Sequence, residues 1–439
     1  MNQTPMLILA GMMGVVIAII ILKQPFIGVA LTVISTPISS LLPPIPYFSS
    51  VVPLIGGLTL VGFLWIKRDS AGRIGIKFNL LHTITLLLFI WIFISNPQAA
   101  WSGPDRNWVI TFIQLLILMI IAGSIIDEPY KHHILMGLFV FVSVISAYTA
   151  ITQGYLGEDI LEATRVGGFT AGANTAARYF VIAMVLLTYL RSQVKVPFVR
   201  LLMLGGILIT YLGVFFTASR SGMVLIFFAQ LLLFFFQHEG KQRIQLLVIF
   251  GIAFLILFLM ANTIIVILQG IIPAITQGTD TMGLRYDLWE AGWLMWQDHP
   301  ISGVGIGMFR YNVGRYMSLI GVAPRGATSH NTYINMLSET GIIGFSLFMI
   351  ILGLALKDYL KVGQNPNPDL DGLRTIWLIV FLVLLVGAIT KTEHTDKLLF
   401  MVMGLSVYFA TLAKTSVEEK LQMEKARVEP GTQRFANRF

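Results

Sequence analysis

The chain contains no cysteine, which removes disulfide frameworks, thiolate metal sites and cysteine nucleophiles from consideration. Charge is scarce too: Asp, Glu, Lys and Arg make up 12% of the 439 residues, against 56% hydrophobic, with a mean hydropathy of +0.79. That balance excludes an ordinary soluble domain and predicts an all-α, polytopic membrane protein. The opening run, MNQTPMLILAGMMGVVIAIIIL, has neither a basic leader nor a small-residue cleavage site, so it reads as a retained span. No Gly/Ser linker or low-complexity tract divides the chain. Residues 1–439 therefore read as one transmembrane domain, with a smaller outer loop at 153–175, a large outer loop at 269–332 and a cytoplasmic tail at 415–439.

What is present in abundance is apolar runs. Taking stretches of roughly 16 to 24 apolar residues as spans predicts helices near 6–22, 26–42, 51–66, 80–95, 109–126, 134–152, 176–190, 199–217, 221–237, 245–268, 333–355, 373–389 and 398–413. The count is thirteen, or twelve with both ends inside if the short Pro-rich second run is re-entrant. The net charge of +8 would suggest nucleic-acid binding in a soluble protein; here it follows topology. With the loop KRDSAGRIGIK in the cytoplasm, alternation puts every strongly basic connection on that side.

That assignment leaves Arg106, Arg165, Arg178, Arg220, Arg285, Arg310, Arg315, Arg325, Lys391 and Lys397 outside. Eight Arg to two Lys is a bias that topology alone does not need. Guanidinium is a rigid fork suited to bidentate phosphate or carboxylate contacts, so an anionic ligand on the outer face is expected. Arg220, in FFTASRSG, falls at the outer junction of two apolar runs, where an unpaired guanidinium is costly.

Within 269–332, GLRYDLWEAGWLMWQDHP reads as an amphipathic helix. Leu284, Leu288, Ala291 and Met295 share one face, and Trp289, Trp293 and Trp296 lie beside them, a pattern expected at a membrane interface. Arg285 and the Trp residues are suited to a lipid headgroup or a sugar. The glycines of ISGVGIGMF (Gly303, Gly305, Gly307) follow a helix and not a strand, so they do not make a dinucleotide loop. Asp369 and Asp371 form a DxD in a turn-rich loop expected to be cytoplasmic, and read as a solvated turn, not a metal site. Of the seven histidines, His299, His330 and His394 fall outside; His330 is the best placed for proton transfer near neutral pH.

Four segments together resemble the O-antigen ligase and Wzy-type O-antigen polymerase superfamily of bacterial membrane glycosyltransferases. RYDLWEAGWLMWQDHPISGVGIGMF has the family's Arg followed by W, an "hP" pair and "GvGxGxf"; SHNTYINMLSETGIIG is similar to "HNxYLqllxExGxxG". TASRSG resembles the "SRsg" helix start, and RVGGFTAGANTAARY resembles "RxxGxfxxpN", with Ala173 where the family often has Pro before Asn174. The likeness runs from about residue 160 to 355.

The resemblance implies a GT-C-like membrane fold and a glycan donor on undecaprenyl pyrophosphate. Transfer, inverting and without metal, nucleotide sugar or other cofactor, would go to a glycan, lipid A core or protein acceptor at the outer face of the cytoplasmic membrane. On this sequence it implies His330 as general base, with Arg220 and Arg285 on the pyrophosphate. Arg165, Asn174, Arg325, Asn331 and Trp289 would be substrate-binding residues. The competing reading is a transporter or flippase of an anionic lipid-linked glycan, for which intramembrane Glu339 and Gln114 leave some room.

Overall fold

The computed structural model describes residues 4–42, 51–66, 78–96, 107–156, 166–170, 172–236, 281–361, 368–392 and 396–428. Among these residues all regular structure is helical, with no strand, as expected for an all-α polytopic membrane protein. In chain order the helices are α1 (Thr4–Lys23), α2 (Pro25–Ile34), α3 (Val52–Ile66), α4 (Leu80–Ser95), α5 (Asn107–Ile125), α6 (Pro129–Leu156) and α7 (Ala173–Gln193). They continue with α8 (Pro197–Phe216), α9 (Arg220–Phe236), α10 (Thr281–Asp298), α11 (Phe309–Leu319), α12 (Thr332–Tyr359), α13 (Pro368–Gly387) and α14 (Lys397–Val428). Five are long and apolar enough to cross a bilayer, and five shorter apolar helices accompany them. The predicted span at 245–268 lies outside the described residues.

The second apolar run follows the alternative in which it is not a span of its own. Pro25 starts α2 with its φ already set for a helix, but the chain bends by 119° between α1 and α2. Ten residues rise only about 15 Å, half the roughly 30 Å hydrocarbon core. The run at 26–42 is therefore the second arm of a bent pair and not an independent crossing.

Close packing in the bundle depends on small residues, as in membrane helices generally. α5 and α14 lie so near that a Cβ at Gly123 would come 2.6 Å from the Gly404 carbonyl oxygen. Buried side chains such as Phe112, Phe139, Phe180, Phe381 and Phe400 fill the interior between α5, α6, α7, α13 and α14.

A second, smaller core is built outside the bundle. Leu288, Ala291 and Met295 of α10 are fully buried against Phe309, Val313, Tyr316 and Met317 of α11. The apolar stripe read from the sequence is therefore covered by protein, while Trp293 stays exposed. The stripe faces inward because α11 supplies a matching apolar face one loop later.

This small domain clasps α12 at a break. Gly341 has φ 66° and ψ −172°, a conformation inside a helix that only glycine adopts readily. The break releases carbonyls, and each finds a donor: Ser338 O accepts from Val304 N at 3.0 Å, Glu339 O from Gly305 N at 2.9 Å, and Thr340 O from Trp91 Nε1 of α4 at 2.9 Å. Gly303, also at positive φ, lies where any Cβ would collide with the Glu339 backbone. The Glu339 carboxylate accepts from Phe309 N at 2.9 Å, the first amide of α11, where the helix dipole favours negative charge. The GVGIGMF and ETGIIG segments are thus two halves of one joint, and Glu339 belongs to it.

Candidate active site

Helix starts α7, α9, α12 and α14 meet the end of α13 at one end of the bundle, and α10 lies alongside. Ser219 caps α9 by accepting from Gly222 N at 3.1 Å, while its hydroxyl donates to Asn174 Oδ1 at 2.8 Å. Asn174 is thereby fastened to the residue before Arg220, so two segments 45 positions apart converge. Arg220, the first residue of α9, is exposed. A cation there sits at the positive end of its helix, an arrangement that favours an arriving anion.

His330 is held from both sides. Ser329, before it, is fully buried; its carbonyl accepts from Trp289 Nε1 at 2.9 Å, and its hydroxyl lies 2.7 Å from Asn331 O and 3.0 Å from Asn335 Oδ1. Asn331, after it, caps α12, its Oδ1 accepting from Tyr333 N at 2.9 Å and Ile334 N at 3.2 Å. His330 itself adopts φ 52°. The other non-glycine residue with positive φ among the described residues is Ala218, two positions before Arg220. Such backbone costs about 1–3 kcal/mol at a residue with a Cβ and clusters at functional sites.

The charges are mutually close. The His330 imidazole is held below its ordinary pKa by desolvation, then by the Arg285 and Lys391 charges. Arg285, half-buried on α10, is itself lowered by desolvation and by Arg220. The Arg285 charge thus acts on His330 and feels that of Arg220, and neither arginine has a carboxylate partner among the described residues. The cluster gathers basic side chains about one imidazole biased toward its neutral form.

Sequence reasoning missed the support beneath it. Arg178 of α7, buried, makes a 2.6 Å ion pair with Asp396, and Tyr179 donates to the same carboxylate oxygen at 2.8 Å. The other Asp396 oxygen caps α14, accepting from Leu398 N at 2.8 Å and Leu399 N at 3.1 Å. Lys391 lies in the turn between α13 and α14 beside His330. Its outer location was legible, but nothing in the sequence singled it out.

Other expectations place differently. Trp289 acts on the protein itself, its indole N–H on the loop before His330 and its ring edge-on to Tyr286 at 5.5 Å. Arg325 is exposed on the stretch beside Gly314 of α11, with no contact to the cluster among the described residues. Arg165 lies outside the described residues. Asp369 and Asp371 occupy the first turn of α13, where the helix dipole favours acids, and Asp371 pairs with Arg374 at 3.0 Å. The expected turn is therefore a helix start.

The fold is that of a multi-pass, all-α membrane protein, and at one end of its bundle basic side chains gather about His330. Residues 204–349 match the family model described as O-antigen ligase, Wzy_C, so the family to which the motifs pointed is the one this third of the chain is similar to. The match runs from α8 into α12 and includes Arg220, Arg285 and His330. It supports a glycan-transfer role in a membrane. Comparison with curated proteins gives no match.

Proposed function

We propose that the protein is a membrane glycosyltransferase that moves a glycan from an undecaprenyl-pyrophosphate carrier to a hydroxyl acceptor at the outer face of the cytoplasmic membrane, as an O-antigen ligase or polymerase. The observation that carries this reading is the convergence of Arg220, Arg285 and His330 at one end of the bundle, with left-handed backbone at Ala218 and His330.

In the proposed reaction the acceptor oxygen attacks the anomeric carbon and His330 takes its proton. The carbon–oxygen bond to the diphosphate breaks as the new bond forms, inverting the centre, and the electron pair leaves on the diphosphate. A positioned base contributes typically 10²- to 10⁴-fold. Arg220 and Arg285 stabilise the charge that develops on the leaving group, where fixed cations act strongly because they need no reorganisation. The neutral bias of His330 suits it to the base role, and the guanidinium forks suit a diphosphate. Asn174 and Asn331 contribute by holding the backbones that carry Arg220 and His330.

The test supplies purified protein with lipid-linked oligosaccharide and an acceptor, without ATP or an ion gradient. A newly attached or longer glycan, lost in His330→Ala and in Arg220→Ala, supports the enzyme. Intact lipid crossing the bilayer with no glycan transferred overturns it in favour of a flippase.

A further inference from the structure

A cavity of about 310 Å³ lies between α2, α3 and α5, with Lys397 of α14 in its wall. α5 and α14 run side by side in one direction, with Phe112 edge-on to Phe400 at 5.7 Å and Gly123 against Gly404 further along. Lys397 is the first residue of α14, so it marks the end of the cavity that shares the His330 end of the bundle. From Thr111 to Ile121, both of which line the cavity, α5 rises about 15 Å, half the roughly 30 Å hydrocarbon core. The space is as deep as one leaflet. α3 is its wall toward the bilayer, because Leu54, Val61 and Trp65 on the other side of that helix are exposed.

The deep part of the cavity is apolar. Val29, Leu60, Leu118 and Ile121 line it, and the Thr59 hydroxyl there donates back to Ile55 O at 2.7 Å. Two polar groups nearer the Lys397 end are not matched by protein. Lys397 Nζ has one hydrogen-bond partner among the described residues, Ser35 Oγ at 3.4 Å, and no ion pair. The neighbouring Asp396 carboxylate is taken up by the Arg178 guanidinium, the Tyr179 hydroxyl and the amides of Leu398 and Leu399. Gln114, one turn along α5 from Thr111, lines the cavity without a hydrogen-bond partner among the described residues. An ammonium and an amide at membrane depth are costly unless something satisfies them.

We propose that this cavity seats one acyl chain of an anionic phospholipid from the leaflet at the His330 end, with the lipid phosphate on Lys397 and the ester carbonyl at the head of the chain on Gln114. The inference rests on the fold and is independent of the transfer reading. The ammonium selects an anionic head, and the one-leaflet depth selects a membrane chain. At about 310 Å³ the volume falls at the small end of the roughly 300–1,000 Å³ of ligand pockets, room for a chain and not for a glycan. The proposed donor is a poorer occupant, since its diphosphate would lie by Arg220 and Arg285 and no lining residue comes from α9, α10 or α12. A seated lipid fills the gap between α2, α3 and α5. Its phosphate also holds the first residue of α14, next to the Asp396 that pairs with Arg178.

The test measures binding of dioleoyl phosphatidylglycerol to the delipidated full chain in detergent micelles by native mass spectrometry. Dioleoylglycerol is the chain-only control and undecaprenyl phosphate the rival lipid. Loss of one charge-assisted contact predicts about 10- to 100-fold weaker phosphatidylglycerol binding in Lys397→Met, with dioleoylglycerol binding unchanged. Lys397→Arg restores it. A Cβ at Gly56, which lines the cavity, meets nothing within 4 Å, so Gly56→Leu fills the space without moving backbone and weakens binding of both lipids. A phosphatidylglycerol with a photoreactive diazirine in its acyl chain labels α3 and α5 in wild type and loses that label in Gly56→Leu. Label confined to other helices, or equal binding by wild type, Lys397→Met and Gly56→Leu, overturns the site. If undecaprenyl phosphate binds more tightly and displaces the label from α3 and α5, the phospholipid is overturned as occupant and the cavity belongs to the carrier's chain. Should either variant melt early without lipid, the wild-type label decides alone, and its absence from α3 and α5 overturns the proposal.

Discussion

Replacing Gly341 by Ala tests whether the break in α12 is what joins the small domain to the bundle. A residue with a Cβ at φ 66° and ψ −172° carries a strain of about 1–3 kcal/mol. The new methyl would also overlap the Ile301 carbonyl and force the 300–305 segment away. Three hydrogen bonds hold that segment: Ile342 N to Pro300 O at 2.8 Å, Val304 N to Ser338 O at 3.0 Å and Gly305 N to Glu339 O at 2.9 Å. At about 0.5–1.5 kcal/mol each, loss of two adds roughly 1–3 kcal/mol, giving a total near 2–6 kcal/mol. Gly353→Ala is the control on the same helix, because a Cβ there meets nothing within 4 Å and a helical Gly→Ala change stabilises by about 0.4–1 kcal/mol. Thermal unfolding in detergent micelles reads the difference. The expected order is Gly353→Ala at or above wild type and Gly341→Ala well below it, with glycan transfer lost in the latter. If Gly341→Ala melts with the control, the joint is not held by this break and the reasoning is wrong.

Further outcomes follow from the same geometry. Arg220→Lys and Arg285→Lys keep charge but lose the fork, so transfer should fall severely while membrane insertion is unchanged; full activity in both would remove the bidentate role. Asp396→Asn takes the carboxylate from the buried Arg178 and should destabilise by about 3–5 kcal/mol, measured as a lower melting temperature. Ser219→Ala removes the cap of α9 and the tie to Asn174. It should cost about 1 kcal/mol of stability and reduce activity more than that loss explains, because Arg220 loses its placement; a variant with wild-type turnover would argue against that coupling.

Much of this was legible in sequence because membrane spans are written in composition. The apolar runs of α6, α7, α8, α12 and α13 stand out by length alone. α2 does not, since Pro25 is compatible both with a continuing span and with the 119° bend. Arg220, Arg285 and His330 stand out in the sequence through the outer arginine bias and through the family resemblance of the segments that carry them. The Arg178–Asp396 pair and Lys391 do not, since a polar residue inside or just after a span carries no mark of its partner 218 positions away. The glycines of GVGIGMF were visible, but only packing reveals that they answer a second glycine, Gly341, across the joint.

The arrangement has a kinetic consequence on the proposed reading. Desolvation first, then the Arg285 and Lys391 charges, hold His330 in its neutral form but also make it a weak base. A bound diphosphate offsets the charge part of that shift, so the imidazole pKa rises. Base strength is then greatest when the leaving group is in place, which couples proton removal to the presence of the donor. The pH dependence of kcat/KM reports the free protein and that of kcat the loaded one. The acid limb of kcat should therefore lie at higher pH than the acid limb of kcat/KM. Measuring both across the acidic range with a saturable lipid-linked donor checks this. Coincident limbs would mean that the cations around His330 do not sense the diphosphate, and the shared site would have to be given up.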